Sequence, residues 1–248
     1  MAPASASDPV PDRCRAGRPE TASVERTGVA GILVLADGRT VRLADVAIAT
    51  GAAGDEALRR LGALAARTVT IHPVGAGPDR YGDLRAHVAL SAGDEAGSGA
   101  GWLQASLVGD GLAHVAPDVL ASPCVDDLLP VEDAARGARA GLWGEGRWPV
   151  PAGMRGLADR AGQYAFVEGR VLTSGESRQV VYLNFGRDWA TDFTVLVRKS
   201  DLRGWPAEAR DVTALVGSRV RARGRLESWN GGLIRVEHPA QIEVVAAP

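Results

Sequence analysis

Arginine supplies nearly all of the positive charge in this chain, and two groups of arginines have spacings that suit binding to phosphate. Arg42 lies in a predicted strand between Val41 and Leu43. The segment 219–225, with the sequence RVRARGR, carries an arginine at every second position. Because side chains alternate between the two faces of a strand, these four arginines are predicted to share one face. They are Arg219, Arg221, Arg223 and Arg225. Guanidinium groups bind phosphate oxygens through paired hydrogen bonds, so Arg42 and the four arginines are candidate nucleic-acid-binding residues.

Each group also has an interpretation that needs no ligand. Arg42 can point to solvent from an exposed sheet face. The four arginines can likewise form a solvated outer face in a protein that uses arginine almost exclusively as its base. In the functional interpretation, they follow a phosphate backbone while Trp229 stacks on bases, with Tyr182, Phe185 and Trp189 as further aromatic candidates. In the other interpretation, these aromatic side chains pack in the core or in loops.

Cysteine and histidine give no metal-binding pattern in the sequence. Cys14 and Cys124 belong to no CxxC pair, so a thiolate zinc site is not predicted. A disulfide between them is possible in principle, although Cys14 lies in a segment that we predict to be flexible. The four histidines show neither HxxxH nor HxH spacing, and we interpret them as ordinary surface or core residues. No cofactor is predicted from these residues.

Charge and composition exclude some function classes. The 248 residues carry a net charge of −2 and are 46% hydrophobic, which is typical of a globular protein and unlike a histone-like protein that binds nucleic acid through bulk charge. Residues 160–248 carry 13 basic and 10 acidic side chains, so a mild positive excess lies in the C-terminal part. Residues 1–26 are rich in Ala, Pro, Ser and Arg and contain no apolar run. We predict a flexible tail there, with neither a signal-peptide core nor a membrane span, and the compartment stays open.

The arginine at position 42 is positioned by a predicted hairpin. The segment 32–51 contains two apolar stretches around Asp37-Gly38, a dipeptide that favours a tight hairpin turn. We interpret 40–48 as one returning strand. Apolar spacing then predicts a helix over 55–67, strands over 67–72 and 84–90, and two helices over 102–108 and 125–140. The order predicts a small barrel with helices packed on it, over residues 27–148.

The arginine-rich segment belongs to a second predicted domain. A Pro- and Gly-containing stretch, 149–160, is the predicted linker. Strands are predicted over 164–172, 179–185, 192–197, 218–227 and 233–236, with a short helix over 211–216 and a last extended piece over 241–245. Three strands, a helix and two strands are the order of an OB-fold, so 161–248 is predicted to be an OB-like β domain.

Four motifs make the first domain similar to a known family. They are VRLADV at 41–46, DRYGDLRAHV at 79–88, GWLQASLVGDGLAHV at 101–115 and EDAARGARAGLW at 132–143. Together, and in this order, they resemble the thermonuclease family, which has the staphylococcal-nuclease-like fold. The resemblance implies a five-stranded OB-type barrel with three helices, followed here by an OB-like domain of the kind often appended in bacterial members. The expected fold class is mainly β with helices: two β-barrel domains.

The resemblance also implies which residues would carry out phosphodiester hydrolysis with calcium, and most are missing. Arg42 matches the family's first arginine. The position of a metal-binding Asp is Ala47, that of the general-base Glu is Thr50, and that of the second arginine is Asp83. The block that supplies another metal carboxylate falls on residues 29–32, which contain none. We therefore predict no catalytic residue and no metal ligand, with Arg42 as the one family position retained.

Two neighbouring residues are poor replacements for the missing groups. If Arg42 faces the pocket, strict alternation places Asp45 on the opposite strand face. Arg85, two residues after Asp83, is a candidate replacement for the missing arginine, but we favour the interpretation that it is a solvated strand residue.

Three functions are consistent with these observations, and the sequence leaves open whether the chain is an enzyme. The first is a catalytically degenerate thermonuclease-like protein that binds nucleic acid or acts as a scaffold, with single-stranded nucleic acid as the expected partner. The second is an active calcium-dependent nuclease of DNA or RNA with ligands at other positions, the only case that involves calcium. The third is a structural or protein-interaction module at the cell envelope. The oligomeric state is not predicted.

Overall fold

The computed structural model describes residues 10–15, 17–90, 101–117, 123–188 and 190–245. The chain divides into two compact units, residues 1–145 and 146–248, which are described separately below as unit 1 and unit 2. The fold is mainly β, with four α-helices in the described residues. No helix in that part of the chain is both long enough and apolar enough to cross a bilayer.

Unit 1 contains a closed barrel of five strands. The strands described in this unit are β1 (Glu20–Thr27), β2 (Leu33–Leu35), β3 (Thr40–Leu43), β4 (Val46–Ile48), β5 (Thr68–Pro73), β6 (Asp83–Leu90), β7 (Gly101–Trp102) and β8 (Ala113–Val115). Antiparallel pairing runs from β3 through β2, β1 and β5 to β6, and a parallel pairing of β3 with β6 closes the ring. A short separate sheet joins β4 to β8, and β7 extends the edge of β6.

The predicted hairpin forms, but its second strand is shorter than predicted. Gly38 has a φ of +85° in the turn between β2 and β3, as the Asp-Gly dipeptide indicates. In β3, Val41 and Leu43 are buried, whereas Thr40 and Arg42 are half-buried. The single strand predicted over 40–48 is wrong, because Asp45 takes a left-handed φ of +60° and turns the chain. Residues after this turn form β4, which pairs with β8 outside the barrel.

The flexible tail predicted over residues 1–26 is also partly wrong. Strand β1 lies between β2 and β5 in the barrel. Its apolar side chains Ala22 and Val24 are buried and alternate with polar ones, so no continuous apolar run marks the strand. Before it, Val10 and Cys14 are buried, and Cys14 forms a disulfide with Cys124. This segment is therefore part of unit 1.

Three helices lie in the described residues of unit 1, close to where apolar spacing predicts them. They are α1 (Ala52–Gly62), α2 (Leu103–Gly109) and α3 (Val125–Gly137). Two buried polar side chains attach helices to strands. Gln104 of α2 accepts a hydrogen bond from the Val88 amide (3.1 Å) and donates one to the Ala86 carbonyl (2.8 Å). Glu132 of α3 accepts one from the Val115 amide at 2.7 Å.

Unit 2 is a large mixed sheet with one short helix, α4 (Lys199–Leu202). Its described strands are β9 (Val150–Pro151), β10 (Tyr164–Arg170), β11 (Thr173–Glu176), β12 (Val180–Asn184), β13 (Thr194–Arg198), β14 (Arg219–Glu227), β15 (Leu233–Val236) and β16 (Ile242–Val244). The strand order in the sheet is β11-β12-β13-β15-β14-β10-β9, and β16 pairs with β14. The pairings β13–β15 and β9–β10 are parallel.

Two predictions for this unit need adjustment. The predicted linker contributes β9, so part of 149–160 belongs to the sheet. The predicted helix over 211–216 is a single 3-10 turn, Val212–Leu215. Asp211 caps this turn, and the hydrogen bonds that Thr213 donates from its hydroxyl and its amide lower the pKa of the Asp211 carboxyl.

The fold of unit 1 predicts a specific role for Gln104. Replacement by Ala leaves the Val88 amide buried without this partner, at about 1–3 kcal/mol, whereas the Ala86 carbonyl still accepts a hydrogen bond from the Ala44 amide (3.0 Å). We expect Gln104→Ala to lower the free energy of unfolding by about 1–3 kcal/mol and to accelerate hydrogen exchange at the Val88 amide. Ser106→Ala, on the same helix, is the control and should change stability by less than about 0.5 kcal/mol. Unchanged Val88 exchange in Gln104→Ala would contradict this role.

Candidate functional site

Arg42 is held by an ion pair within unit 1. Its Nη2 atom lies 2.7 Å from Oδ2 of Asp83, and the Arg42 side chain is 43% exposed. The other oxygen of Asp83 accepts a hydrogen bond of 2.6 Å from Thr40 Oγ1. These contacts follow from the parallel register of β3 and β6, which pairs Thr40 with Asp83 and Arg42 with Arg85. Arg42 thus faces an acidic side chain of its own barrel.

Asp79 supplies the second acidic group beside these arginines. It lies 3.8 Å from Arg85, and its side chain accepts hydrogen bonds from the amides of Tyr81 and Asp83. The Tyr81 hydrogen bond is the main cause that lowers the pKa of Asp79, and the charges of Arg85 and Arg42 add to it. The carboxylates of Asp79 and Asp83 therefore lie beside the guanidiniums of Arg85 and Arg42, and their charges oppose each other. Among the described residues, no group of three potential metal ligands assembles here.

Asp45 takes no part in this cluster. Its side chain is fully buried after β3, and its Oδ2 atom lies 3.4 Å from Nε2 of His87, which is also fully buried on β6. The sequence predicts that Asp45 is a poor substitute for the missing metal ligand. In the structure, its side chain lies in the interior beside His87 and not beside Arg42.

The four arginines of β14 share one strand face, as alternation predicts. Val220, Ala222 and Leu226 belong to the apolar core of unit 2 and face the other way. Glu168 lies 2.8 Å from Arg219 and 2.9 Å from Arg221, and Glu243 lies 3.2 Å from Arg221. Arg225 donates to the Gly162 carbonyl. Carboxylates of β10 and β16 therefore neutralise much of this charge.

Exposure separates the ends of the arginine row from its middle. The Arg219 side chain is 51% exposed and Arg225 is exposed, whereas the Arg221 side chain is 12% exposed. Arg223 is fully buried, where it pairs with Glu243 and its guanidinium lies 5.3 Å from the centre of the Phe166 ring. Nucleic-acid binding by this row stays a prediction, and its accessible cations are the two end residues.

Trp229 lies at a pocket on the outer face of the sheet of unit 2. The pocket has a volume of about 240 Å³ and is lined by Tyr182, Asn184, Thr194, Trp229, Asn230 and Leu233. The Tyr182 and Trp229 rings meet edge to face, with 6.4 Å between their centres, and Trp229 is 47% exposed. This arrangement provides an open aromatic surface flanked by amide and hydroxyl groups.

Strand register places a cation beside this pocket. Tyr182 on β12 is opposite Leu196 on β13, and Leu196 is opposite Arg235 on β15. Leu196 and Leu233 are buried but lie outside the apolar core cluster, so they form the floor of the outer face. Glu227 pairs with Arg235 and raises the pKa of its guanidinium.

The remaining predicted aromatic residues divide between the core and a position that the structure does not describe. Phe185 packs on Phe193 with ring centres 5.1 Å apart, which matches its interpretation as a packing residue. Trp189 lies outside the described residues. Arg235 and Asn184 were not among the predicted site residues, although the alternation Leu233–Arg235 in a short strand is a signal that identifies the arginine.

No protein-family model matches the sequence, and a search of curated proteins gives no match.

The two kinds of arginine in β14 should respond differently to mutation. Arg223→Ala removes the buried partner of Glu243 and the cation over Phe166. We expect the free energy of unfolding to fall by about 3 kcal/mol, the lower end of the range for breaking a buried ion pair. Arg219→Ala is the matched control and should cost less than about 1 kcal/mol, because its ion pair is half exposed. Urea denaturation measures both, and equal effects would contradict the burial of Arg223.

Proposed function

We propose that this chain is a non-catalytic protein that binds single-stranded nucleic acid through the outer face of unit 2. The observation that carries the proposal is the Tyr182–Trp229 pocket, because an exposed pair of aromatic rings is a stacking surface for bases. Base stacking on such side chains contributes about 1–3 kcal/mol per base and tolerates different sequences. The side chains of Asn184, Thr194 and Asn230 offer hydrogen bonds to base edges.

The connectivity of unit 2 supports this proposal. Strand β10 pairs with β14, and β11, which begins three residues after β10 ends, pairs with β12. The continuous segment of β10 and β11 thus pairs with β14 through β10 and with β12 through β11. In an OB-like barrel, the first strand pairs with two other strands in the same way. OB-folds bind oligonucleotides on their second and third strands and on the loop between the fourth and fifth. The corresponding elements here are β12, β13 and the β14–β15 loop, where the pocket lies.

Unit 1 supports the non-catalytic part of the proposal. Its five strands pair in the same OB-type order, and α1 lies between the third and fourth strands, in agreement with the thermonuclease-like resemblance. The resemblance places two phosphate-binding arginines at positions 42 and 83. Here Asp83 forms an ion pair with Arg42 instead, so an incoming phosphate would have to displace a carboxylate.

The alternative of a calcium-dependent nuclease has less support. Calcium binding needs several oxygen ligands arranged around one cation. The carboxylates nearest Arg42 and Arg85 face those arginines, and Asp45 pairs with His87 in the interior. In the part of the chain that the structure describes, no comparable surface favours the protein-interaction alternative.

Binding should depend on Trp229 and on the outer-face cations in different ways. We expect Trp229→Ala to weaken binding of an oligothymidylate about 5- to 100-fold without changing the salt dependence, because stacking releases few ions. Arg198→Ala, which removes an exposed cation of β13, should reduce the log–log salt slope by about 0.7 for each phosphate that the variant no longer neutralises. Fluorescence anisotropy of a labelled oligonucleotide at several salt concentrations measures both quantities.

The controls separate this face from other surfaces. Tyr81→Ala removes a 71% exposed aromatic residue of unit 1 and should leave affinity unchanged. The double variant Arg219→Ala/Arg225→Ala tests the arginine row of β14. If this variant has a flatter log–log salt slope and Trp229→Ala has no effect on affinity, the binding site is the arginine row and not the pocket. Absence of binding by the wild-type chain at low salt would refute the proposal.

Unit 1 should show no nuclease activity. Digestion of single-stranded DNA with millimolar calcium should stay at background. Asp83 forms an ion pair with Arg42, and among the described residues no group of carboxylates surrounds a position that could hold calcium. Arg42→Ala is the control for contamination, because it should not change the background. Calcium-dependent cleavage that EDTA and Arg42→Ala abolish would contradict this prediction.

A further inference from the structure

The disulfide of unit 1 lies beside a buried pair of polar side chains. Cys14 ends a 3-10 turn, Asp12–Cys14, and Cys124 directly precedes α3. Both cysteines are buried, and their Cα atoms are 5.2 Å apart. Ligand atoms of Cys124, His87 and Asp45 all lie within 4.8 Å of one another. Three separate elements thus bring sulfur, nitrogen and oxygen donors together in the interior.

The spacing of Asp45 and His87 suits two ligands of one metal ion. Their Oδ2 and Nε2 atoms are 3.4 Å apart, which exceeds the roughly 2.7–2.9 Å of a charge-assisted hydrogen bond. Two ligand atoms at about 2.0–2.2 Å from a tetrahedral zinc ion lie roughly 3.3–3.6 Å apart. Trp102 packs edge-on against the His87 ring, with centres 5.3 Å apart, and so restricts its orientation.

We propose that, when the disulfide is reduced, Cys124, His87 and Asp45 bind one Zn²⁺ ion, and that the freed Cys14 thiolate, which the disulfide places beside Cys124, moves in as the fourth ligand. Two thiolates, one imidazole and one carboxylate are donors that zinc accepts in a tetrahedral site. Sulfur and nitrogen donors disfavour calcium and magnesium, which prefer oxygen ligands. The four protein ligands fill the tetrahedral coordination of zinc and leave no position for water or a substrate, so the site is a structural one. It is independent of nucleic-acid binding by unit 2.

Zinc binding and the disulfide exclude each other. Reduction breaks the S–S bond: a dithiol or phosphine reductant gives up two electrons, and two protons complete the two thiols. Zinc then displaces one proton from each thiol, because the thiolate is the metal ligand. In either state, residues 10–15 stay linked to the start of α3. The cross-link is covalent under oxidising conditions and metallic under reducing ones.

Zinc titration of the full-length chain tests the proposal. The protein is reduced with a phosphine, freed of reductant without oxygen, and titrated with zinc in competition with a chromophoric chelator. We expect one zinc ion per reduced chain and none for the disulfide form. X-ray absorption of the zinc-loaded wild type should show two sulfur neighbours at about 2.3 Å and two nitrogen or oxygen neighbours at about 2.0–2.2 Å.

Ligand variants identify the site. Cys124→Ser, His87→Gln and Asp45→Asn should each weaken zinc binding more than about 100-fold, beyond the usual effect of residues that only orient ligands. His114→Gln is the control, since His114 is buried in the same unit outside the cluster. Absence of zinc binding by the reduced wild type overturns the proposal. The proposal is also overturned if the X-ray absorption of the zinc-loaded wild type lacks two sulfur and two nitrogen or oxygen neighbours. This measurement uses the wild type and so does not depend on whether a variant folds.

Discussion

The parallel pairing of β3 with β6 is the constraint on which unit 1 depends. It closes the five-strand barrel, and its register places Thr40 beside Asp83 and Arg42 beside Arg85. Asp83 consequently accepts hydrogen bonds from both Thr40 and Arg42. Closure of the barrel therefore also determines its electrostatics, because a guanidinium that could hold an external anion is paired with a carboxylate of the neighbouring strand.

A parallel pairing has a corresponding role in unit 2. Strand β13 lies between β12 and β15, and the register of these three strands aligns Tyr182, Leu196 and Arg235 on the outer face. Side chains at the intervening positions, such as Val195 and Ile234, enter the apolar core. The same alternation that builds the core thus leaves an aromatic ring, an apolar floor and a cation together on the other side, next to Trp229.

Buried charge is handled in two ways in this chain. Moving an ion out of water costs several kcal/mol unless a partner compensates for the hydration that the ion gives up. Arg223 has such compensation from Glu243 and from the face of the Phe166 ring. Asp45 and His87 are equally buried, but they are spaced more widely and lie beside the sulfur of Cys124. The first arrangement is a structural ion pair, whereas the second has the donors and spacing of the proposed zinc site.

Local pattern in the sequence determined many elements and their faces: the Asp-Gly turn, the three helices of unit 1, and the shared face of the four arginines in 219–225. It failed at β1, where only two apolar side chains mark a strand that pairing on both sides makes central. Only the tertiary structure decided what each functional side chain meets. Arg221 is neutralised by Glu168 and Glu243, which are 53 and 22 residues away, and Cys14 meets Cys124 across 110 residues. Alternation and periodicity depend on neighbouring residues, whereas ion pairs, pockets and ligand sets depend on which distant segments the closed sheet brings together.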